Sequence, residues 1–167
     1  KLNWKIQFCY SGLNTMTGGR LLRLKKYLIK EKSFLLTYGD GLANVDIKKL
    51  IKFHKKHKKI GTVTAVIPSA RFGALNLNGQ KVASFQEKPQ SGEGWINGGF
   101  FCFQNRIFEY LKNDKTILEK EPLSNLAKNK NLHAYKHHKY WQCMDTRRDH
   151  DLLIKQWKDK KVLWLKR

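Results

Sequence analysis

The stretch from residue 33 to residue 41, Ser-Phe-Leu-Leu-Thr-Tyr-Gly-Asp-Gly, limits most strongly what this chain can fold into. A short apolar run that ends in Gly-Asp-Gly predicts a buried strand with the carboxylate of Asp40 at its C-terminal end. Open α/β sheets bind their ligands at that end of the strands. The flanking glycines let an anion or a metal approach the backbone, and a carboxylate suits Mg²⁺. A plain strand-to-turn junction is the alternative.

The rest of the chain alternates between strand patterns and helix patterns, which predicts an α/β fold. The strand at 33–41, an amphipathic helix at 46–57 and a strand at 61–67 indicate a parallel βαβ unit. Strand patterns at 72–77 and 82–87 flank Asn78-Gly79, a strong hairpin signal. Further strands are predicted at 4–10, 94–103 and 132–138, and further helices at 106–111, 122–128 and 146–158. Without linkers or repeats, we expect one domain spanning residues 1–167.

The chain is strongly basic, with a formal net charge of +21 over 167 residues. Such a charge attracts nucleic acid, an anionic membrane or a small phosphorylated substrate. Only seven of the 34 basic residues are arginine, which base-edge and bidentate phosphate contacts favour. Lysines scattered over helix faces fit a solvated surface equally well. We therefore expect a phosphorylated substrate and no nucleic acid, with a basic nucleic-acid-binding module as the alternative.

The cysteines and the lengths of the apolar runs indicate in which compartment of the cell the protein acts. The three cysteines are far apart and form no Cys-x-x-Cys motif, which indicates free thiols in a reducing compartment. No apolar run approaches the roughly 20 residues of a membrane span. We therefore expect a cytoplasmic protein without a membrane partner. Because the chain begins with Lys1 and enters a strand-like run almost at once, we interpret it as a fragment of a longer protein.

Three more places carry candidate site residues. Asp145 is a second carboxylate near a strand end; the alternative is that Asp145 or Thr146 caps the following helix. A Thr/Gly-rich helix start, with Thr17 as its N-cap and Arg20 as a fixed charge, could bind a phosphate; an ordinary loop is the alternative. Asn97 enters a strand through Asn-Gly-Gly, where its amide could contact hydroxyl groups or simply form a bulge.

Six motifs together resemble the sugar-1-phosphate nucleotidyltransferases, and among them the glucose-1-phosphate cytidylyltransferases. The motifs are Asn-Thr-Met-Thr-Gly-Gly-Arg-Leu at 14–21, Thr-Tyr-Gly-Asp-Gly at 37–41, Arg-Phe-Gly-Ala-Leu at 71–75, Glu-Lys-Pro at 87–89, Trp-Ile-Asn-Gly-Gly-Phe-Phe at 95–101, and Trp-Gln with Met-Asp-Thr across 141–146. Each motif is weak alone, but all six occur in the family's order and cover nearly the whole chain.

The resemblance implies a Rossmann-like nucleotidyltransferase fold, with a mixed, mostly parallel central sheet flanked by helices and its first strands missing here. The implied reaction converts CTP and α-D-glucose 1-phosphate into CDP-glucose and pyrophosphate with Mg²⁺ as cofactor. The resemblance further implies a homo-oligomer that serves nucleotide-sugar and O-antigen polysaccharide biosynthesis. Enzymes that use dTTP, UTP or GTP in the same reaction are the nearest alternatives.

Site residues carry over by their positions in these motifs. The resemblance implies that Asp40 and Asp145 hold Mg²⁺ and act in catalysis, together with Lys88 at the sugar phosphate. The implied nucleotide- and phosphate-binding residues are Thr15, Arg20 and Gly39. The implied sugar-binding residues are Gly73, Glu87, Lys88, Asn97 and Gly98.

The chain departs from the family pattern in three places. It contains no Gly-rich triphosphate loop with Gly-Thr-Arg-Leu and a following lysine, so we expect the isolated chain to be inactive. Tyr-Ser-Gly stands at 10–12 where the family has Asp-Thr-Gly, on the nucleotide side of the site. Cys143 stands where the family has proline, two residues from a predicted metal ligand.

Overall fold

The computed structural model describes residues 3–68, 74–86 and 94–165. The strands are β1 (Ser33–Thr37), β2 (Gly41–Ala43), β3 (Gly61–Val66), β4 (Ala74–Asn78), β5 (Lys81–Gln86), β6 (Ile96–Gln104), β7 (Leu132–His137) and β8 (Trp141–Cys143). The α-helices are α1 (Thr17–Arg23), α2 (Lys25–Leu28), α3 (Ile47–His57), α4 (Glu121–Lys128) and α5 (Arg147–Lys158), with 3₁₀ helices at Asn105–Tyr110 and Leu163–Leu165. None of the helices within these ranges has the length and apolar character of a membrane span.

Four of the described strands form the central sheet in the order β1-β6-β3-β7. Strand β6 pairs antiparallel with both β1 and β3, whereas β3 pairs parallel with β7. The predicted α/β class and mixed sheet are confirmed. The prediction that the sheet is mostly parallel is wrong, because two of its three strand pairs are antiparallel.

The physical reason is the insertion of β6 between the two strands of the predicted βαβ unit. Both β1 and β3 run antiparallel to β6, so they point in the same direction, as the unit requires, without being neighbours. Alternation of apolar residues reports which side chains are buried, but it does not report which distant strand supplies the hydrogen bonds.

Strand β6 also carries the centre of the apolar core. Phe101 and Phe103 are fully buried and pack into one cluster with Leu21 of α1, Ile107 of the first 3₁₀ helix and Leu126 of α4. Burying a side chain of this size contributes about 2–3 kcal/mol to stability. The sheet is thus anchored through its central strand, whose first residues enter the candidate site.

A two-stranded sheet of β2 and β8 lies beside the main sheet and brings distant parts of the chain together. Gly41 is opposite Cys143 in this antiparallel pair. Just beyond it, the backbone N–H of Met144 donates to the carbonyl oxygen of Asp40 over 2.9 Å. The segment after β1 and the segment before α5 therefore run side by side.

Two local predictions had opposite outcomes. The hairpin is confirmed: Asn78 is opposite Lys81 and Gly79 adopts a φ of +61° in the turn. Residues 4–10 form no strand, and Phe8 and Tyr10 are 94% and 89% exposed. An alternating segment becomes a strand only beside a sheet edge, and within the described residues this segment pairs with none.

Candidate functional site

A cavity of about 780 Å³ opens where β1 and β2 meet the start of β6, the end of β8 and the start of α5. Its lining includes four of the residues that the resemblance implicates: Asp40, Asp145, Asn97 and Gly98. Three of these four lie on exposed positions, and Gly98 is buried in the floor. The structure thus brings the two predicted metal ligands and two of the predicted sugar-binding residues to one opening.

Asp40 and Asp145 are 105 residues apart in sequence but reach the same cavity because β2 pairs with β8. Both residues are exposed, and within the described ranges neither carboxylate has a hydrogen bond or an ion pair. An exposed pair of free carboxylates on a cavity wall is available to a cation. These two carboxylates are therefore available to bind a ligand, because contacts within the described protein do not occupy them.

The capping role that was the alternative for Asp145 belongs to its neighbour. The hydroxyl oxygen of Thr146 accepts a hydrogen bond from the backbone N–H of Asp149 over 3.2 Å, and the Asp149 carboxylate accepts from the Thr146 backbone N–H over 3.1 Å. This reciprocal capping box holds the first turn of α5. It leaves the side chain of Asp145 free for another role.

Asp149 is a cavity residue that the sequence interpretation missed. The residue is 6% exposed, and its carboxylate also accepts hydrogen bonds from the Thr146 hydroxyl at 2.8 Å and from Nε2 of Gln142 at 3.1 Å. These contacts tie β8 to α5. The capping-box spacing of Thr146 and Asp149 was the sequence signal that could have revealed it.

The two free carboxylates fit the metal that the resemblance implies. Mg²⁺ is commonly held by one or two carboxylates, with substrate phosphates and water completing its coordination. The described part of the chain has no group of three or more histidine, cysteine or acidic side chains that could enclose a metal alone. The donor set therefore suits a magnesium ion shared with a phosphorylated substrate.

The amide of Asn97 is already oriented by the protein. Its Oδ1 accepts a hydrogen bond from the backbone N–H of Gly99 at 2.9 Å, and its Nδ2 donates to the hydroxyl of Tyr38 at 3.3 Å. One Nδ2 hydrogen remains for a ligand. Asn97 can therefore contact a hydroxyl group from a fixed position.

Gly98 is required by the packing of the cavity floor. A Cβ atom at this position would lie 2.7 Å from Cγ1 of Val66. Its carbonyl oxygen accepts a hydrogen bond from Nε1 of Trp141 at 2.9 Å, which joins β6 to β8. The Asn-Gly-Gly motif thus combines a polar side chain with a close approach of two backbones.

A hydrogen-bonded chain links the cavity wall to α1. Tyr38, which lines the cavity, donates to Oε1 of Glu119 at 2.5 Å, and Thr17 donates to Oε2 of the same carboxylate at 2.6 Å. Burial of the Tyr38 hydroxyl, together with this bond to Glu119, raises the pKa of Tyr38 well above the usual value.

Thr17 was predicted to cap α1, and that prediction is wrong. Met16 is the N-cap residue, and Thr17 contacts Glu119 instead.

Two of the predicted nucleotide-binding residues lie outside this cavity. Thr15 is buried and Arg20 donates to the hydroxyl oxygen of Ser11 at 2.7 Å and to the carbonyl oxygen of Leu13 at 3.2 Å. Neither lines the cavity. Gly39 directly precedes Asp40, and a Cβ atom there would meet nothing within 4 Å.

Three of the predicted site residues fall outside the described ranges: Gly73, Glu87 and Lys88.

Comparisons with known proteins identify the family of this chain. A sequence model described as nucleotidyl transferase matches residues 10–159. The glucose-1-phosphate cytidylyltransferase of Salmonella typhimurium is 45% identical over 161 residues, which cover 96% of this chain and 63% of that protein. The probable glucose-1-phosphate cytidylyltransferase of Bacillus subtilis is 41% identical over 162 residues, with the same two coverages. The chain thus spans just under two thirds of the length of these relatives.

Solved structures show the same fold. HddC from Yersinia pseudotuberculosis superposes with a TM-score of 0.68 at 24% identity, covering 93% of this chain and 68% of that one. A putative glucose-1-phosphate thymidylyltransferase from Bacillus anthracis superposes with a TM-score of 0.63 at 16% identity, covering 93% and 64%. The described strands and helices therefore have the α/β nucleotidyltransferase arrangement.

Proposed function

This chain belongs to the nucleotidyl transferase family, and from that premise we propose that it carries the metal and sugar-phosphate side of a glucose-1-phosphate cytidylyltransferase. The protein would convert CTP and α-D-glucose 1-phosphate into CDP-glucose and pyrophosphate. The observation that carries the proposal is the cavity shared by Asp40, Asp145 and Asn97. The 45% identity with a curated enzyme of that activity supports the choice of substrates.

The reaction makes modest demands on the protein. A phosphate oxygen of glucose 1-phosphate forms a bond to the α-phosphorus of the nucleotide, while the bond from that phosphorus to the pyrophosphate oxygen breaks. Because the attacking phosphate is already an anion near neutral pH, no general base is needed. Catalysis then rests on in-line positioning and on compensation of the charge on the phosphate oxygens.

Each residue takes a role that suits its chemistry. Asp40 and Asp145 hold Mg²⁺, which neutralises charge on the phosphate oxygens when bound. Asn97 donates a hydrogen bond to a glucose hydroxyl from its fixed position on β6. Lys88 binds the sugar phosphate, and Glu87 accepts from glucose hydroxyls, as their motif implies.

Further roles follow from the motifs to which the remaining residues belong. Gly73 and Gly98 let the sugar approach the backbone. Thr15, Arg20 and Gly39 serve the nucleotide and its phosphates. Arg20 donates to Ser11 and Leu13 and does not line the described cavity.

The proposal extends to the setting of the reaction. The enzyme acts in the cytoplasm as a homo-oligomer and supplies a nucleotide sugar for polysaccharides such as O-antigen. Widely separated cysteines without a disulfide among the described residues support a reducing compartment.

The test is pyrophosphate release by the full-length gene product with glucose 1-phosphate and Mg²⁺. CTP, UTP, dTTP and GTP are offered in turn. Release with CTP alone is the expected result. Release with another nucleotide keeps the mechanism and changes the base, whereas no release with any of them, beside salt-sensitive RNA binding, favours the basic nucleic-acid-binding alternative.

A further inference from the structure

One basic side chain on the cavity wall belongs to none of the six sequence motifs and has no role assigned by them. Among the described residues that line the cavity, Arg148 is the single basic side chain, and it shares the wall with the carboxylates of Asp40, Asp145 and Asp149. We propose that Arg148 binds the phosphate group of the sugar 1-phosphate. This inference rests on the proposed function, which supplies the phosphorylated sugar.

Arg148 differs from the other arginines of the described ranges in having no partner. Arg148 is exposed, and its guanidinium has no hydrogen bond or ion pair with another described residue. The other described arginines are all engaged by the protein: Arg20 with Ser11, Arg23 with Asp114, Arg106 with Glu109 and Arg147 with Asp151. A cation left free at a cavity wall, where the neighbouring arginine is paired, is available to an anionic ligand.

The position of Arg148 is set by a rigid element. It is the second residue of α5, three residues after Asp145, and the capping box of Thr146 and Asp149 holds the turn that carries it. Gln142 on β8 donates to the same Asp149 carboxylate and fixes the helix start against the small sheet. A guanidinium on this turn can face a ligand in the cavity without ordering a loop, which lowers the entropic cost of binding.

The charged side chains on the cavity wall favour a phosphate group as the ligand of Arg148. Two carboxylates alone would repel a phosphate dianion, so the site needs a metal ion and basic side chains to bind it, and Arg148 would act together with the proposed Lys88. Guanidinium matches phosphate through two parallel N–H···O bonds, which an ammonium group cannot reproduce. A phosphate placed between Arg148 and an ion on Asp40 and Asp145 would be neutralised from both sides.

The neighbours of Arg148 indicate which phosphate it binds. Asn97 and Gly98, on the sugar side of the proposed site, line the same cavity, whereas Thr15 and Arg20 on the nucleotide side do not. The phosphate of glucose 1-phosphate is therefore the ligand, and the nucleotide phosphates are not.

The test compares Arg148→Gln with the matched control Arg147→Gln in the full-length gene product. Both changes remove one charge from the same turn of α5, but Arg147 is paired with Asp151 and does not line the cavity. Binding of glucose 1-phosphate is measured by calorimetry with Mg²⁺, and KM is measured for glucose 1-phosphate and for the nucleotide.

We expect Arg148→Gln to weaken glucose 1-phosphate binding about ten- to hundredfold, as for the loss of a hydrogen bond to a charged group. Its KM for glucose 1-phosphate should rise by a similar factor, while the KM for the nucleotide stays within about twofold. Arg147→Gln should behave as the unsubstituted protein, and Arg148→Lys should recover only part of the binding.

Equal binding by the two glutamine variants would overturn the inference, and so would a rise confined to the nucleotide KM. If the unsubstituted protein binds no glucose 1-phosphate, Arg148 has no such role. If it binds glucose 1-phosphate but releases no pyrophosphate with any nucleotide, the proposed function fails, while the difference between the two variants still decides the role of Arg148.

Discussion

The hydroxyl of Tyr38 donates a hydrogen bond to Oε1 of Glu119 over a distance of 2.5 Å. Tyr38 lines the cavity at the end of β1, and Glu119 precedes α4. The second oxygen of the same carboxylate accepts a hydrogen bond from Thr17 at the start of α1. One carboxylate thus connects the helix that carries Arg20 with the wall that orients Asn97.

Replacing this carboxylate should change the titration of Tyr38. Both burial and the bond to Glu119 raise the pKa of the Tyr38 hydroxyl. Glu119→Gln removes the negative charge, so the pKa should fall, yet it should stay above the ordinary value of about 10 because burial remains. Ultraviolet titration measures this, with Tyr38→Phe identifying which part of the curve belongs to this tyrosine. An unchanged curve in Glu119→Gln would show that the carboxylate does not hold the hydroxyl.

Two histidines contact the buried Thr62, and a third histidine stacks on one of them. Nδ1 of His54 lies 2.8 Å from the Thr62 hydroxyl oxygen, and Nε2 of His57 lies 2.7 Å from the same atom. The ring of His133 stacks on that of His57 with their centres 4.4 Å apart. Burial and the neighbouring His133 and His54 lower the pKa of His57 to about 4, and burial lowers that of His54.

This cluster predicts that acid destabilises the fold. The unfolded chain takes up protons on His54 and His57 below about pH 6.5, whereas burial lowers the pKa of both in the folded chain, that of His57 to about 4. The free energy of unfolding should therefore be constant above about pH 7 and fall as the pH drops from about 6.5 towards 4. Urea unfolding at a series of pH values measures it, and His57→Gln should flatten the slope. Stability that is equal at pH 7 and pH 5 would contradict the burial of neutral histidines.

The core prediction concerns the central strand. Phe103 is fully buried on β6, so Phe103→Ala should lower the free energy of unfolding by about 3–5 kcal/mol through lost apolar burial and the cavity left behind. Phe8→Ala is the matched control, because Phe8 is 94% exposed and its loss should cost less than about 0.5 kcal/mol. Urea unfolding of both variants provides the comparison. Similar losses in the two would mean that β6 does not carry the core.

Features set by adjacent residues were predictable from the sequence. The Asn78-Gly79 turn specifies its hairpin locally, and Asp46 caps α3 at the predicted start of that helix. Asp40 and Asp145 were predicted to meet, and they line one cavity. This outcome depended on motif order, because spacing alone does not reveal that β2 pairs with β8.

Features set by distant contacts were not predictable. The placement of β6 between β1 and β3 depends on hydrogen bonds across the sheet, and no local pattern encodes it. Glu119 and Arg148 belong to no motif in the sequence, and their significance comes from which side chains lie beside them. Aromatic and apolar residues do alternate with polar ones in residues 4–10, but their side chains are exposed and the segment forms no strand. Such alternation makes a strand only where a neighbouring strand is available to pair with it.

The central claim is that the cavity bearing Asp40 and Asp145 is the catalytic centre. Its most direct test is pyrophosphate release from CTP and glucose 1-phosphate by Asp145→Asn in the full-length gene product. Asp159→Asn, at the other end of α5 and away from the cavity, is the control. We predict that Asp145→Asn lowers turnover at least about hundred- to thousandfold with an unchanged circular dichroism spectrum, while Asp159→Asn retains activity. Turnover by Asp145→Asn that equals the control would contradict the claim.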